Sequence, residues 1–203
     1  MIASSFTVDE LIRAVDRLAA AAQTFAAELN EADGRLGDGD LGITLSNGWR
    51  TATQKLAGAR PADIAGVFLT CAVAFQESSA SSFGTLTATG LMAAAKASSG
   101  RTEMKPAEIS GLLRAAMDAM ARRGKAEPGD KTVLDSLAAM AAATASDGTA
   151  DDLRKVCVRA ASEAAELFRS KANRIGRARM FGEDSIGIVD PGMLAALRMA
   201  ESV

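Results

Sequence analysis

Residues 7–42 read TVDELIRAVDRLAAAAQTFAAELNEADGRLGDGDLG, a helix pattern that runs into a cluster of carboxylates. Thr7 followed three residues later by Glu10 is a capping-box pattern, in which hydroxyl and carboxylate each satisfy a free backbone N–H of the first turn. Leu11, Val15, Leu18, Ala22, Phe25 and Leu29 then recur in steps of four and three, one apolar stripe of a helix expected to end near Asp33 and Gly34. Asp33, Asp38 and Asp40 follow within eight residues, interleaved with glycines before Gly42. Carboxylates this close repel, and each one's ionisation raises its neighbours' pKa. A cation relieves that cost, and an all-oxygen donor set suits magnesium or calcium. The glycines let backbone approach a phosphate, and the N-terminus of the next helix favours anions. The same residues also suit a solvated turn. A calcium loop is a further alternative, but the EF-hand spacing and its closing glutamate are missing.

Outward from this stretch, the chain reads as eight helices joined by short breaks. The second carries Leu45, Trp49, Ala52 and Leu56 and stops at Gly58. Pro61 is expected in the first turn of the third, with Ile64, Val67, Phe68, Cys71 and Phe75 inward. A serine-rich break precedes the fourth, roughly Gly84 to Ala97. Pro106 opens the fifth, whose inward residues include Ile109, Leu112, Leu113, Ala116 and Met120. The sixth carries Val133, Leu134, Leu137 and Met140, with Asp130 as its expected N-cap. Thr149 and Asp152 suggest a capping box for the seventh, which carries Leu153, Val156, Ala160, Ala164 and Leu167, and Asp190-Pro191 starts the eighth. No strand-like alternation competes. Short connections make neighbouring helices antiparallel. The long connection near residues 173–189 is the kind that often carries function. No linker divides the chain, so residues 1–203 read as a single helical domain.

Composition narrows the chemistry. The net charge of −2 argues against a nucleic-acid partner. Arg122 and Arg123 read as a solvated helix end. With no histidine, Ser-His-Asp triads, Cys-His pairs and His-ligated zinc are excluded. Cys71 and Cys157 lie in apolar helical patterns and read as buried thiols of a reducing compartment. The first seven residues show no secretory signal and no apolar run reaches membrane-spanning length, so a cytoplasmic location with no membrane partner is expected. The nine methionines read mostly as core filling.

Three further motifs have both a functional and an ordinary reading. The hydroxyls from Ser78 to Ser82, before Gly84, can cradle phosphate or simply cap a helix. Pro128-Gly129-Asp130-Lys131-Thr132 looks only superficially like a phosphate loop, lacking the strand and the preceding glycine. The segment from Gly176 to Gly192 holds Arg177, Arg179, four glycines and Asp190. It can reach over a ligand, since arginine matches phosphate and carboxylates take ribose hydroxyls, or it is a plain surface loop.

Taken together, Asp33 with Gly37-Asp38-Gly39-Asp40 and Gly42, then Pro128 to Thr132, then Gly176 to Gly192, resemble in order and separation the L subunit (DhaL) family of dihydroxyacetone kinases and the matching nucleotide domain of single-chain forms. The resemblance implies a barrel of eight antiparallel, up-and-down helices with a nucleotide site in the loops at one end. It implies ADP or ATP held through two magnesium ions, with Asp33, Asp38 and Asp40 as metal ligands. It places Ser81 and Ser82 near the phosphates and Thr132, Arg177 and Asp190 along the nucleotide. It also puts Leu41 and Thr44 at the nucleotide, where the family usually has histidine and asparagine. The glycine-rich phosphate loop of the family appears here as Ser78 to Phe83, without its proline and most of its glycines. The implied activity is phosphoryl transfer to dihydroxyacetone or a related short ketose held by a partner K subunit. Free ATP or a phosphotransferase-system protein is the implied donor, and a homodimer is left open. The departures favour, as the alternative, a diverged, non-catalytic module that binds ADP and magnesium and regulates.

Overall fold

The computed structural model describes residues 5–78, 80–145 and 150–203. Among these are eight α-helices: α1 Val8–Leu36, α2 Leu41–Gly58, α3 Ile64–Ser78, α4 Ser82–Ala97, α5 Ile109–Gly124, α6 Val133–Ala143, α7 Ala150–Arg169 and α8 Pro191–Ser202. Each packs on its neighbour in sequence, and α8 returns to lie against both α1 and α7. The result is the closed, up-and-down ring of antiparallel helices that the resemblance implied. The predicted inward stripe of α1 is buried from Val15 to Leu29 and packs with Leu45, Trp49, Val67 and Phe75 in the largest core cluster. Burial of apolar side chains on every inner face drives this closure. Trp49 meets Phe75 edge-on at 5.0 Å between ring centroids. Small residues allow tight approach: a Cβ on Gly42 would sit 2.0 Å from the Ala26 carbonyl oxygen, so α1 and α2 can meet this closely only with glycine there.

Several boundaries differ from expectation, each for a local reason. The α1 helix runs through Asp33 and Gly34 to Leu36, because the buried Leu36 extends its inner face by a further turn. Pro61 lies outside α3; Asp63 instead accepts a hydrogen bond from the Gly66 amide at the start of that helix. The α4 helix begins two residues early, at Ser82, since the Ser81 hydroxyl caps it by accepting from the Gly84 amide. Thr132, not Asp130, is the N-cap of α6, with Asp135 completing a capping box. Asp130 instead closes the preceding turn by accepting from the Glu127 amide at 2.9 Å. A two-residue antiparallel pairing, Phe6–Thr7 with Glu103–Met104, ties the chain's start to the approach to α5. It is too short to show alternation in sequence. The α1 capping box of Thr7 and Glu10 is formed. The expected box at Thr149 and Asp152 falls partly outside the described residues.

The cysteines and methionines largely follow expectation. Cys71 is buried, which pushes its thiol up to about 12; Cys157 is only half-buried, contrary to expectation, yet enough to raise its thiol as well. Met104, Met120, Met140 and Met193 are core, whereas Met180 is exposed in the segment after α7. No helix among the described residues is long and apolar enough to cross a membrane.

Candidate functional site

At one end of the ring the loops α1–α2, α3–α4, α5–α6 and α7–α8 converge on a cleft of about 630 Å³. Asp33, Asp38, Asp40, Leu41, Ser81, Ser82, Thr132, Arg177 and Asp190 all line it. Thr44 lines an adjoining, smaller hollow of about 310 Å³ that shares Asp40, Ser81, Ser82 and Arg177 with the first. Every residue singled out from sequence is therefore at this end of the molecule. Four widely separated stretches of chain supply them.

The acidic wall is built by the junction of α1 and α2. Asp33 sits in the last turns of α1, Asp40 is the residue before α2, and Asp38 lies between. One carboxylate oxygen from each comes within 4.8 Å of the others. The Asp40 amide donates to Asp33 Oδ2 at 3.0 Å, which fixes Asp33 across the turn. A Cβ on Gly37 would lie 2.5 Å from Asp33 Oδ1, so glycine leaves room for that carboxylate. Asp40 makes no side-chain cap for α2. Asn30, from α1, takes that role: its Oδ1 accepts from the amides of Gly42 at 2.8 Å and Ile43 at 3.2 Å. This leaves the Asp40 carboxylate available to the cleft. Burial, then the neighbouring Asp38 and Asp33 charges, raises the Asp40 pKa, while Arg177 opposes the rise. Arg177 forms an ion pair with Asp38.

The hydroxyl wall joins α2 to α4. Thr44 Oγ1 donates to Ser81 Oγ at 3.0 Å, and Ser81 Oγ accepts from the Gly84 amide at 3.1 Å. Apolar side chains also line the cleft: Leu86, Met120 and Leu134, from α4, α5 and α6. Leu41 is buried in the core cluster and shows only its edge to the cleft.

The floor near α8 rests on a buried polar junction. Lys131 is fully buried and adopts a left-handed backbone, φ 62°. Its ammonium donates to the carbonyls of Lys171 at 2.8 Å and Ser185 at 2.7 Å. Desolvation lowers the Lys131 pKa, and the charge of Asp190 opposes this. Asn173 Nδ2 donates to the Lys131 carbonyl and to Asp190 Oδ2, both at 2.8 Å. Asp190 Oδ1 caps α8 by accepting from the Met193 amide at 3.0 Å. Burial pushes the Asp190 carboxyl up to about 6, against the hydrogen bonds from Met193, Asn173 and Gly192 and the Lys131 charge.

Asn30, Lys131, Asn173 and Ser185 thus support the site without having been singled out as site residues. Lys131 and Asn173 lay within quoted stretches. Asn30 lies one turn before Asp33 on α1, where a polar side chain on a helix face carries no distinctive signal.

This architecture defines an all-helical protein with an acidic and hydroxyl-lined cleft at one end of its ring. The DAK2 domain family model matches residues 35–203, and the chain belongs to that family. It is 28% identical over 197 residues to the PTS-dependent dihydroxyacetone kinase, ADP-binding subunit DhaL, of Lactococcus lactis (strain IL1403), a match spanning 97% of this chain and 96% of that one. It is 30% identical over 173 residues to the PEP-dependent dihydroxyacetone kinase, ADP-binding subunit DhaL, of Escherichia coli (strain K12), spanning 83% and 82%. In fold it is similar to the crystal structure of the dihydroxyacetone kinase from C. freundii in complex with AMP-PNP and Mg2+, with a TM-score of 0.72. That match has 22% identity and covers 94% of this chain and 32% of that chain.

Proposed function

We propose that this chain is the nucleotide-binding subunit of a kinase for dihydroxyacetone or a related short ketose, acting with a K-type subunit that holds the sugar. The observation that carries this reading is the convergence of Asp33, Asp38 and Asp40 in a cleft that Leu86, Met120 and Leu134 also line. A nucleotide needs both a place for magnesium and phosphates and an apolar slot for its base. The three carboxylates fit a hard divalent cation: they crowd together, and burial with mutual repulsion raises Asp40.

Asp33, Asp38 and Asp40 would hold magnesium, which when bound neutralises charge on the phosphate oxygens. Two ions is the number the sequence resemblance implies, and metal titration gives the stoichiometry. Ser81 and Ser82, with Thr44 behind Ser81, orient the phosphates by hydrogen bonding. Arg177 presents a planar fork that suits phosphate. Leu86, Met120 and Leu134 take the base, with Thr132 and Asp190 along the sugar side. Phosphoryl transfer depends mainly on positioning and charge stabilisation, so no general base from this chain is required. The sugar and its deprotonation belong to the partner.

The relatives named as ADP-binding DhaL subunits support nucleotide binding, and their length matches this chain. One specific feature favours a second reading, a regulatory module that binds ADP and magnesium without turnover. Leu41 is a buried aliphatic residue where the resemblance expects a histidine. Steady sugar phosphate formation with a K subunit eliminates that second reading.

The test is calorimetric titration of ADP into nucleotide-stripped protein, with and without magnesium. Magnesium-dependent binding is expected in the wild type. Asp38→Ala should lose it while its melting temperature without ligand stays close to that of the wild type. Equal binding by both proteins would sink the assignment.

A further inference from the structure

We propose that Arg177 is the resident counter-ion of the Asp33, Asp38 and Asp40 cluster, and that a divalent cation binds there by displacing the guanidinium. This inference rests on the metal reading above. Arg177 is paired with Asp38, and its charge also acts on Asp40. Among the described residues it is the one basic side chain ion-paired with any of the three carboxylates. One guanidinium against three carboxylates leaves the cluster under-neutralised, and a doubly charged ion with oxygen affinity offsets more of that repulsion. The Arg177 side chain is 61% exposed and that of Asp38 42%, so the pair can separate without disturbing the core. Such exposed pairs are weak, which makes this one easily exchanged.

The displaced guanidinium stays in the same place in the fold. Arg177 borders both the main cleft and the smaller hollow, beside Ser81 and Ser82. Released from Asp38, its fork faces the hydroxyl wall assigned to phosphate, where bidentate hydrogen bonding to an anion is available. Arg177 thus serves as a positioning residue that trades a carboxylate for a phosphate when the metal arrives. It lies far along the chain from the aspartates, on the segment after α7. The exchange therefore couples that segment to the turn between α1 and α2.

Manganese, as the probe ion, is titrated calorimetrically into nucleotide-free wild type, Arg177→Gln, Arg179→Gln and Asp38→Asn. Arg179 also borders the cleft but has no ion pair with the cluster, so it controls for the general loss of one positive charge. Removing the competitor should tighten manganese binding by about fivefold in Arg177→Gln, in line with the worth of an exposed pair. Arg179→Gln should change it by less than about twofold, as expected for a screened charge. Arg177→Gln binding no tighter than Arg179→Gln would overturn the exchange while leaving the metal site standing, provided Asp38→Asn still loses binding. If Asp38→Asn binds manganese as well as the wild type, the metal reading itself fails and takes the exchange with it.

Discussion

The turn at residues 33–40 and the junction around Lys131, Asn173 and Asp190 both present aspartate to one cleft, in opposite ways. In the turn, three carboxylates crowd together with one exposed arginine paired to Asp38. In the junction, one buried carboxylate is surrounded by donors: the Met193 amide, Asn173 Nδ2 and the charge of Lys131. Buried charge persists only where hydrogen bonds and counter-charge compensate it. Uncompensated charge persists only where water or a ligand can reach it. The first region is thus suited to binding, and the second to holding the loop after α7 against α6 and α8.

The largest effect that would break this contrast is at Lys131. Lys131→Met leaves Asp190 without its counter-charge and the Lys171 and Ser185 carbonyls without their donor. It should cost on the order of 3 kcal/mol in urea unfolding, the range for removing one partner of a buried charge. A loss near zero would mean the junction is as tolerant as the acidic turn.

A second expectation sharpens the contrast through pH. The Asp190 carboxyl rises from 3.8 to about 6 on folding, chiefly by burial. Between those values the folded state binds more protons than the unfolded one, so stability falls as pH rises through that window. Below it the penalty is absent, and above it the penalty is complete. Asp190→Asn keeps a capping oxygen and removes the charge. It also removes the acceptor for Asn173 Nδ2 and the counter-charge to Lys131, a loss that offsets it from wild type at every pH. On top of that offset, its stability relative to wild type should improve by on the order of 2 kcal/mol in denaturant unfolding from pH 4 to pH 7, by the usual conversion of a pKa shift into free energy. A pH-independent difference would place the compensation of Asp190 well above what its surroundings indicate.

The smallest expected effect lies on the acidic side. Asn30→Ala removes the acceptor for the Gly42 and Ile43 amides and should cost about 1 kcal/mol, the usual worth of an N-cap. Without Asn30, Asp40 is the nearest side chain able to cap α2. Metal affinity should therefore fall as well, measured by manganese titration. Unchanged affinity would show that Asp40 does not depend on Asn30 for its freedom.

Much of the fold could be read directly from residue order. The stripe from Leu11 to Leu29 predicted α1, and the apolar periods of the other helices marked most of their inner faces; in α7 the core face is alanine, at Ala160, Ala161, Ala164 and Ala165, and Leu167 is exposed instead of inward. The misplaced starts of α3, α4 and α6 have a common cause. Helix ends are set by whichever side chain reaches a free amide, and that contest is tertiary as often as local. Asp130 looked like a cap but closes its own turn, and Thr132 took the role with Asp135. The cleft lining was legible because Asp33, Asp38, Asp40, Arg177 and Asp190 stand in recognisable motifs. The support beneath it was not, because Asn30 and Asn173 are ordinary polar residues until a distant segment is folded against them.

By itself, the sequence determined an all-helical chain whose apolar stripes demand mutual burial, and a set of carboxylates and hydroxyls concentrated in its loops. Periodicity and composition are local properties, so they survive without knowledge of the partners. Only the tertiary structure decided that α8 closes on α1, bringing loops more than a hundred residues apart to one end. It likewise decided that Arg177 meets Asp38 and that Lys131 is buried beneath Asp190. Those pairings depend on distances through space, where Coulomb energy and desolvation act, and spacing along the chain does not encode them.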